Sequence, residues 1–472
     1  MPASSGLVNF FSADSASRLI EACQTQTIPS TSGKIISFSQ RISPIDFLSV
    51  LADKQSDTQL HFYWENARKQ EAILGYGTTN LLRLNAGSRF HDSRAYIKKL
   101  SKQIIRINDL ETNHLSPRFF CHFTFFDSPK NSFCFPAATV LLPRFQIIKK
   151  NTDYFLIANC PIEKINKLEL FIDQTIEEAE SIQTIGAIKN NKKFNHLTHQ
   201  ISCHFHSQNT NRFKHSVISA LDYIEKNCFS KIVLADILDA SSSTPFQLET
   251  SLRNLRQQYP NCYVFSISNG QGNYFIGASP ERLISLRNQQ LVTDALAGSI
   301  QRGKTVTQDI KLTTQLLVSE KERREHQAVI DFILQRLDQL GLAPHCAPLN
   351  VLKLSNIQHL WTPIYSRLPT NIHPLDIVER LHPTPAVAGV PPQVVCEQIQ
   401  CYENFDRSLY AAPLGWVDCD GNGEFIVGIR SALIAGNQAR LYAGAGIVSG
   451  SDPDRELAEI QLKFQTLLKA LQ

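Results

Sequence analysis

The sequence predicts one large α/β unit, and three observations carry that prediction. Hydrophobic residues make up 43% of 472 residues, enough for an extensive core. Strand-like apolar runs alternate with helically spaced segments along the chain. No internal repeat or low-complexity segment breaks it into arrays, although the length alone would also admit two or three average domains. A net charge of +4 with no Lys/Arg block excludes a nucleic-acid footprint. The 11 cysteines are odd in number and scattered, with no Cys-x-x-Cys, which fits a reducing cytoplasm. Met1 to Ile20 lacks the pattern of a signal peptide, and no apolar run is long enough to span a bilayer.

Residues 1–205 form a weakly punctuated half. Strands are expected at Ile35–Phe38, Leu60–Trp64, Ile73–Tyr76, Phe119–Phe126, Ala137–Leu142 and Tyr154–Ile157. Helices are expected at Ser93–Asn108 and Ile162–Thr184. Nothing here has catalytic spacing. A polar stretch, Lys189–Ser207, reads as a linker; its His196, His199, Cys203, His204 and His206 match no familiar zinc spacing.

Signals sharpen in residues 206–472. A helix at Phe213–Asn227 precedes a strong strand, Lys231–Leu238. A helix at Thr244–Gln258 leads into strand Cys262–Ser266, a turn around Asn269–Asn273 and strand Tyr274–Gly277. Strand Leu291–Ala297 ends in Gly298-Ser299, and helix Val318–Leu340 is stopped by Gly341. Strands at Asn350–Leu354 and His359–Thr362 precede a Pro-rich loop, His382–Pro391. Trp416–Val417, Glu424–Ile434 and Arg440–Ala443 read as an antiparallel meander. The chain closes with Gly444-Ala445-Gly446, a capped turn at Ser451-Asp452-Pro453 and a helix.

That helix carries two rows. Leu457, Ile460, Phe464, Leu467 and Leu471 make a core stripe, and Glu456, Glu459 and Lys463 a charged row beside it. Taken alone, the charged row is an ordinary solvated face. Glu325 changes the weighting. Stepping back one turn from Val329 and Ile330 places Glu325 and His326 on the buried stripe of their helix. A carboxylate there needs a cation, either a basic neighbour or a metal shared with Glu456 and Glu459. Two or three Glu oxygens suit Mg²⁺. Lys231 opens an apolar strand, where a lysine is either a strand-edge charge or a base unmasked by desolvation. Glu281 follows Ser279-Pro280 and alone is a turn residue. Asp418–Gly423 begins like a calcium loop, but its twelfth position is Ile429, so it is a hairpin turn. Gly444-Ala445-Gly446 lacks the third glycine and second parallel strand of a dinucleotide fingerprint.

Ordered blocks from Phe213 onward carry a more specific message. They are Lys231-Ile-Val-Leu-Ala235, Ala278-Ser-Pro-Glu-Arg-Leu283, Thr293-Asp-Ala-Leu-Ala-Gly-Ser299, Ser319-Glu-Lys-Glu-Arg-Arg-Glu-His326, His382–Pro391, Gly423–Ser431 and Leu441–Lys463. Together they resemble the chorismate-utilising enzymes, the isochorismate, salicylate, anthranilate and aminodeoxychorismate synthases. The N-terminal half resembles that family only in length and general character. The resemblance implies two antiparallel sheets packed face to face with helices outside. It implies Glu325 and Glu459 as Mg²⁺ ligands, with Glu456 holding the ion directly or through water, and the metal on the ring carboxylate of chorismate. Lys463 would face substrate or neighbouring acids. Tyr410 and Arg430 would grip the enolpyruvyl carboxylate. Gly444 and Gly446 would bring backbone N–H groups to the substrate. Gly298 and Ser299 would line the ring pocket, with His359 and Thr384 nearby.

The same resemblance implies a subfamily. Ammonia-using members lack the strand lysine, and aminodeoxychorismate synthases place a lysine where Ala297 stands. The His382–Gly389 loop looks like that of isochorismate synthases. The implied reaction has Lys231 as general base on water attacking C2 and Glu281 as general acid to the departing C4 hydroxyl. A product destined for menaquinone or siderophore synthesis, a cytoplasmic setting and no obligatory glutamine amidotransferase subunit follow as expectations. In one departure, Asp236 stands where the family usually has arginine, which bears on the support of the Lys231 strand.

Overall fold

The structure, a computed structural model, describes residues 33–108, 115–128, 134–162, 168–188, 201–204, 207–355 and 357–472. β-branched and aromatic runs build two sheets whose inner faces meet. Strands such as Ala138–Leu142 and Pro413–Asp418 are buried along their whole length, as strands covered on both faces must be. Phe62 on one sheet stacks on Phe120 of the other with ring centroids 4.4 Å apart.

The first sheet has 13 strands. It runs from Ile201–His204 through Lys231–Ser242, Gln438–Val448, Ser431–Ala435, Asn273–Ser279 and Tyr263–Ser268. It continues through His61–Asn66, Glu71–Tyr76, Phe145–Lys150, Asp153–Ile162 and Lys34–Ile42 to Ile104–Asn108, with Gly389–Val390 as a side branch. The second sheet has 10 strands, running from His345–Cys346 through Ile357–Arg367, Gln290–Gln301, Arg282–Arg287, Gly423–Val427, Pro413–Asp418, Arg118–Phe123 and Ala138–Leu142 to Asn80–Leu84, with Asn350–Lys353 as a side branch on Ile357–Arg367. Both sheets therefore take strands from both halves of the chain. Helices Glu320–Asp338 and Val306–Val318 pack on the second sheet, and Ser207–Glu225, Leu248–Gln258 and Pro453–Leu471 on the first.

The structure corrects several sequence expectations. The pairing of Lys34–Ile42 with Ile104–Asn108 is parallel, so the first sheet is not wholly antiparallel. The helix expected over Ser93–Asn108 runs Arg89–Ser101, and its expected end is that parallel strand. The helix expected over Ile162–Thr184 is Leu168–Ile188. The helix expected over Val318–Leu340 is Glu320–Asp338, capped by Ser319, whose hydroxyl accepts from Glu322 N–H, and a helix that was not expected, Val306–Val318, precedes it. Part of the expected linker, Ile201–His204, pairs with Asp239–Ser242 as an edge strand. His196, His199 and His206 lie outside the described residues, as does the stretch Met1 to Ile20. The terminal strand does not break at Gly444; it continues to Val448.

The correction that matters most concerns the meander. Its middle segment is not one strand. Gly423–Val427 belongs to the second sheet and Ser431–Ala435 to the first, so the chain changes sheets at Gly428-Ile429-Arg430. A second change lies beside it, between Asn273–Ser279 and Arg282–Arg287, with Pro280 and Glu281 at the crossing. The crossings are stitched together: Val427 N–H donates to Glu281 O (3.1 Å), Ala278 N–H to Arg430 O (3.1 Å) and Ser279 Oγ to Val427 O (2.6 Å). Those bonds satisfy backbone groups that leave one ladder before joining the next. They also set Glu281 and Arg430 side by side at the seam.

Candidate active site

A cavity of about 180 Å³ opens at this seam. Its lining gathers Lys231, Glu281, Gly298, Ser299, Glu325, His359, Tyr410, Arg430, Gly444, Gly446, Glu456, Glu459 and Lys463, together with Lys321 and Glu322. Thus 13 of the 14 residues singled out from the sequence converge on one cavity; the other, Thr384, is buried and its hydroxyl approaches Glu281.

The strand wall comes first. Antiparallel pairing sets Val233 opposite Gly446 and Ala235 opposite Gly444. Lys231 is 3% exposed, so it is no solvent-facing edge lysine. Its Nζ donates to Glu325 Oε1 at 2.6 Å, which supplies the cation that Glu325 required. Removing one member of such a buried pair costs roughly 3–5 kcal/mol. Glycine is required opposite Tyr410: a Cβ at Gly444 would lie 2.9 Å from Tyr410 Oη. A Cβ at Gly446 would crowd Lys231 Cε at 3.3 Å. These two glycines therefore clear space for side chains. Tyr410 stacks on Tyr442 with centroids 5.3 Å apart.

The seam supplies the acid. Burial pushes the Glu281 carboxyl up to about 8, against the pull of Lys231 and with help from Asp294. Asp294 is held by Arg282 (2.7 Å) and by Trp361 Nε1 (2.9 Å). At neutral pH Glu281 therefore carries its proton. Arg430 sits in the left-handed region, φ 51°, where a non-glycine residue is strained; such strain is tolerated where surrounding bonds over-determine the chain. Its Nη1 is buried without a partner, a donor left for a ligand. Its Nη2 meets His359 Nε2 at 3.2 Å. Arginine only donates, so that nitrogen accepts and His359 Nδ1–H donates to Ser299 Oγ at 2.8 Å. The Ser299 hydroxyl proton then remains available to the cavity. Burial, then Arg430 and Lys463, hold His359 well below the usual imidazole range, so it stays neutral.

The helix wall is acidic. Glu322 and Glu325 come from Glu320–Asp338, and Glu456 and Glu459 from Pro453–Leu471. Glu322 Oε2 accepts from Ser299 N–H at 2.9 Å, and Gly298 beside it has a φ of +75°, which favours glycine, while a Cβ there would also press on Glu322. Burial and then the neighbouring Glu325 raise the Glu322 carboxyl; burial raises that of Glu456, and Glu459 adds to it. Burial would raise Glu459 as well, but Lys463 outweighs it and holds that carboxyl low. Lys463 Nζ donates to Glu459 Oε1 (2.7 Å) and to Gly444 O (2.6 Å), tying the closing helix to the strand wall. Among the described residues, no three His, Cys, Asp or Glu side chains stand close enough to enclose a metal in this arrangement. The donor set is nevertheless all carboxylate oxygen, and the mutual repulsion recorded in Glu322 and Glu456 is what a hard cation relieves.

Comparison with known proteins gives the family of the chain. A family model described as "Chorismate binding enzyme" matches residues 19–472. The chain belongs to that family. The match reaches far into the N-terminal half, which corrects the expectation that only the later residues carry the likeness. Isochorismate synthase MenF of Bacillus subtilis (strain 168) is 28% identical over 454 residues, covering 93% of each chain. Isochorismate synthase MenF of Escherichia coli (strain K12) is 30% identical over 457 residues, covering 95% of this chain and 96% of that one. The solved structure of the menaquinone-specific isochorismate synthase from Escherichia coli superposes with a TM-score of 0.79 at 27% identity, covering 98% of this chain and 99% of that one.

Three features of this family member escaped the sequence reading. Glu322 lies inside a quoted block, but its bond to Ser299 reaches across the intervening helix Val306–Val318. Asp294 acts on Glu281 through space. Arg407 and Glu403, fully buried beneath the Lys231 strand, had no local signal beyond an (i, i+4) spacing.

Proposed function

We propose that this protein is a Mg²⁺-dependent isochorismate synthase, an isomerase that converts chorismate to isochorismate. The observation that carries the reading is Glu281: a buried carboxyl that keeps its proton to about pH 8, in one cavity with a buried lysine and an arginine with a free donor. An acid and a base of opposite charge type, facing one small anion site, suit a hydroxyl exchange.

The two carboxylates of chorismate find separate anchors. Arg430 Nη1 and Tyr410 Oη would hold the enolpyruvyl carboxylate. Glu325, Glu459 and Glu456 would hold Mg²⁺, which when bound supplies positive charge to the ring carboxylate. The Ser299 hydroxyl and the His359 it rests on would orient the ring. Lys231 takes a proton from water as the oxygen bonds to C2. The two conjugated ring double bonds shift in turn, C1=C2 to C1=C6 and C5=C6 to C4=C5, the C4–oxygen bond breaks, and Glu281 gives its proton to the departing hydroxyl, which leaves as water. Solvent exchange resets both groups.

The names of the full-length relatives support menaquinone synthesis as the use of the product. The scattered cysteines support a cytoplasmic setting, and among the described residues no helix is long and apolar enough to cross a membrane. The reading needs no glutamine amidotransferase subunit, because water is the nucleophile. Incubating purified protein with chorismate and Mg²⁺ should yield isochorismate, resolved by chromatography, and EDTA should abolish it. Salicylate with free pyruvate would replace the reading by a salicylate synthase, and ammonia-dependent product by an aminating synthase. Folded protein that binds chorismate without turnover would make it a non-catalytic homologue.

A further inference from the structure

The catalytic strand has an incomplete edge. Along one side, Lys231–Ser241 pairs continuously with Gln438–Val448. Along the other side it has two short partners: Gly389–Val390 against Lys231 and Ile232, and Ile201–His204 against Asp239–Ser242. Between them, Val233 to Leu238 has no neighbouring strand on that side among the described residues, although Val233 and Ala235 are buried and their backbone groups need partners.

A buried ion pair fills the front of that gap. Val233 N–H donates to Ala388 O at 2.7 Å. Val233 O accepts from Arg407 Nη2 at 2.8 Å, and Ala235 N–H donates to Glu403 Oε1 at 2.8 Å. Glu403 in turn accepts from Arg407 Nε (2.8 Å) and Nη2 (2.6 Å). Arg407 Nη1 donates to Val387 O at 2.8 Å. The guanidinium is 0% exposed and lies 4.4 Å from the Phe125 ring centre. One arginine and one glutamate thus imitate the donor and acceptor of an absent strand.

Two of the bonds from Arg407 end on residues that line the cavity, Val233 and Val387. Val233 follows Lys231 by two residues and lines the cavity itself. Val387 also lines it and belongs to the turn in which Val387 and Ala388 N–H donate to Thr384 O, and Thr384 lies against Glu281. Tyr410 N–H donates to Arg407 O at 2.7 Å. We infer that the Arg407–Glu403 pair is a positioning element for the reaction, holding Lys231, the Thr384 turn behind Glu281, and Tyr410 in one fixed relation. Neither residue touches the cavity; both act through the backbone they bind. A planar five-donor fork is needed because three separate oxygen groups are spanned at once, which an ammonium on a flexible stem cannot do.

The inference rests on the isochorismate synthase reading, and its test separates the two. Arg407→Lys keeps the charge and loses the fork; Glu403→Gln keeps an acceptor for Ala235 N–H. Two measurements are made on wild type and both variants. The first is amide hydrogen exchange of the protein without ligand. Peptides covering 231–238 and 384–390 should exchange at least tenfold faster in Arg407→Lys, while Asn273–Ser279 in the same sheet stays protected. The second is steady-state turnover of chorismate. kcat should fall at least tenfold with KM within about threefold, and the high-pH limb of the kcat profile should move up, because Lys231, which holds Glu281 down, is displaced. A loss of folded protein alone would scale kcat without moving that limb. Unchanged exchange in both segments overturns the inference whether or not the wild type turns over. So does a fall in kcat with an unmoved pH profile in both variants. An inactive wild type with the expected exchange pattern overturns the activity reading and leaves the brace as a determinant of the binding site.

Discussion

The cavity has two walls of different construction. The strand wall carries Lys231, Glu281, Arg430, Gly444 and Gly446, fixed by sheet register and by paired crossings whose backbone bonds hold each other. The helix wall carries Glu322, Glu325, Glu456, Glu459 and Lys463 on two helices from distant parts of the chain, joined to the strands through side-chain bonds. The proposed proton-transfer pair sits where the backbone is over-determined and strained residues are tolerated. The carboxylates proposed to hold the ion sit on long side chains, which could exchange a lysine partner for a metal. Geometry that must not move is built from backbone; geometry that must change between states is built from side chains.

The largest test of this contrast removes the proton groups. Lys231→Gln and Glu281→Gln should each lower kcat about 10²–10⁴-fold in the chorismate assay, with Mg²⁺ binding by calorimetry retained. Comparable losses from Glu322→Gln would erase the division between walls. Next come the carboxylates. Glu325→Gln and Glu459→Gln should weaken Mg²⁺ binding at least tenfold by calorimetry, whatever the activity, since each would lose an anionic oxygen. Unaltered Mg²⁺ affinity in both would remove the metal from the helix wall. Gly444→Ala, which pushes on Tyr410 Oη, should raise KM for chorismate roughly tenfold, about 1.4 kcal/mol; an unchanged KM would show that the Tyr410 wall yields.

The pH dependence sharpens the strand wall further. Glu281 holds its proton to about 8 in the fold, whereas an unfolded carboxyl loses it near 4.5. The contribution is therefore fully present below pH 4.5, is lost as pH rises toward 8, and is flat above. Glu281→Gln carries no such loss. Its stability advantage over wild type should grow between pH 5 and pH 8, to on the order of 2–4 kcal/mol by denaturant titration. A difference that stays constant with pH would mean that the carboxyl is ionised in the fold. The turnover profile should show the same group, with kcat falling above about pH 8.

Much of this site was legible in the residues. The buried stripe beneath Glu325, the charged row Glu456–Glu459–Lys463 and the glycines of the last strand were visible as local periodicity, the ordered blocks supplied Glu281 and Arg430, and the family resemblance alone pointed to His359. Periodicity misled where an element ended or changed sheet. Helix Val306–Val318 buries only Asp309 and Leu316, too few positions to show as an apolar stripe, and Gly423 to Ser431 reads as a single strand because its apolar residues continue across the change of sheet.

The sequence by itself determined which faces are apolar, which residue types stand one turn apart and which blocks recur in a family, because those patterns depend on neighbours along the chain. Tertiary structure alone decided that Lys231 meets Glu325, that Asp294 bears on Glu281, that His359 is held neutral between Ser299 and Arg430, and that Arg407 and Glu403 complete the edge of the catalytic strand. Each of those facts is a contact between distant segments, set by sheet register and by where the chain crosses from one sheet to the other. Burial at that crossing is what turns an ordinary turn glutamate into an acid that holds its proton at neutral pH.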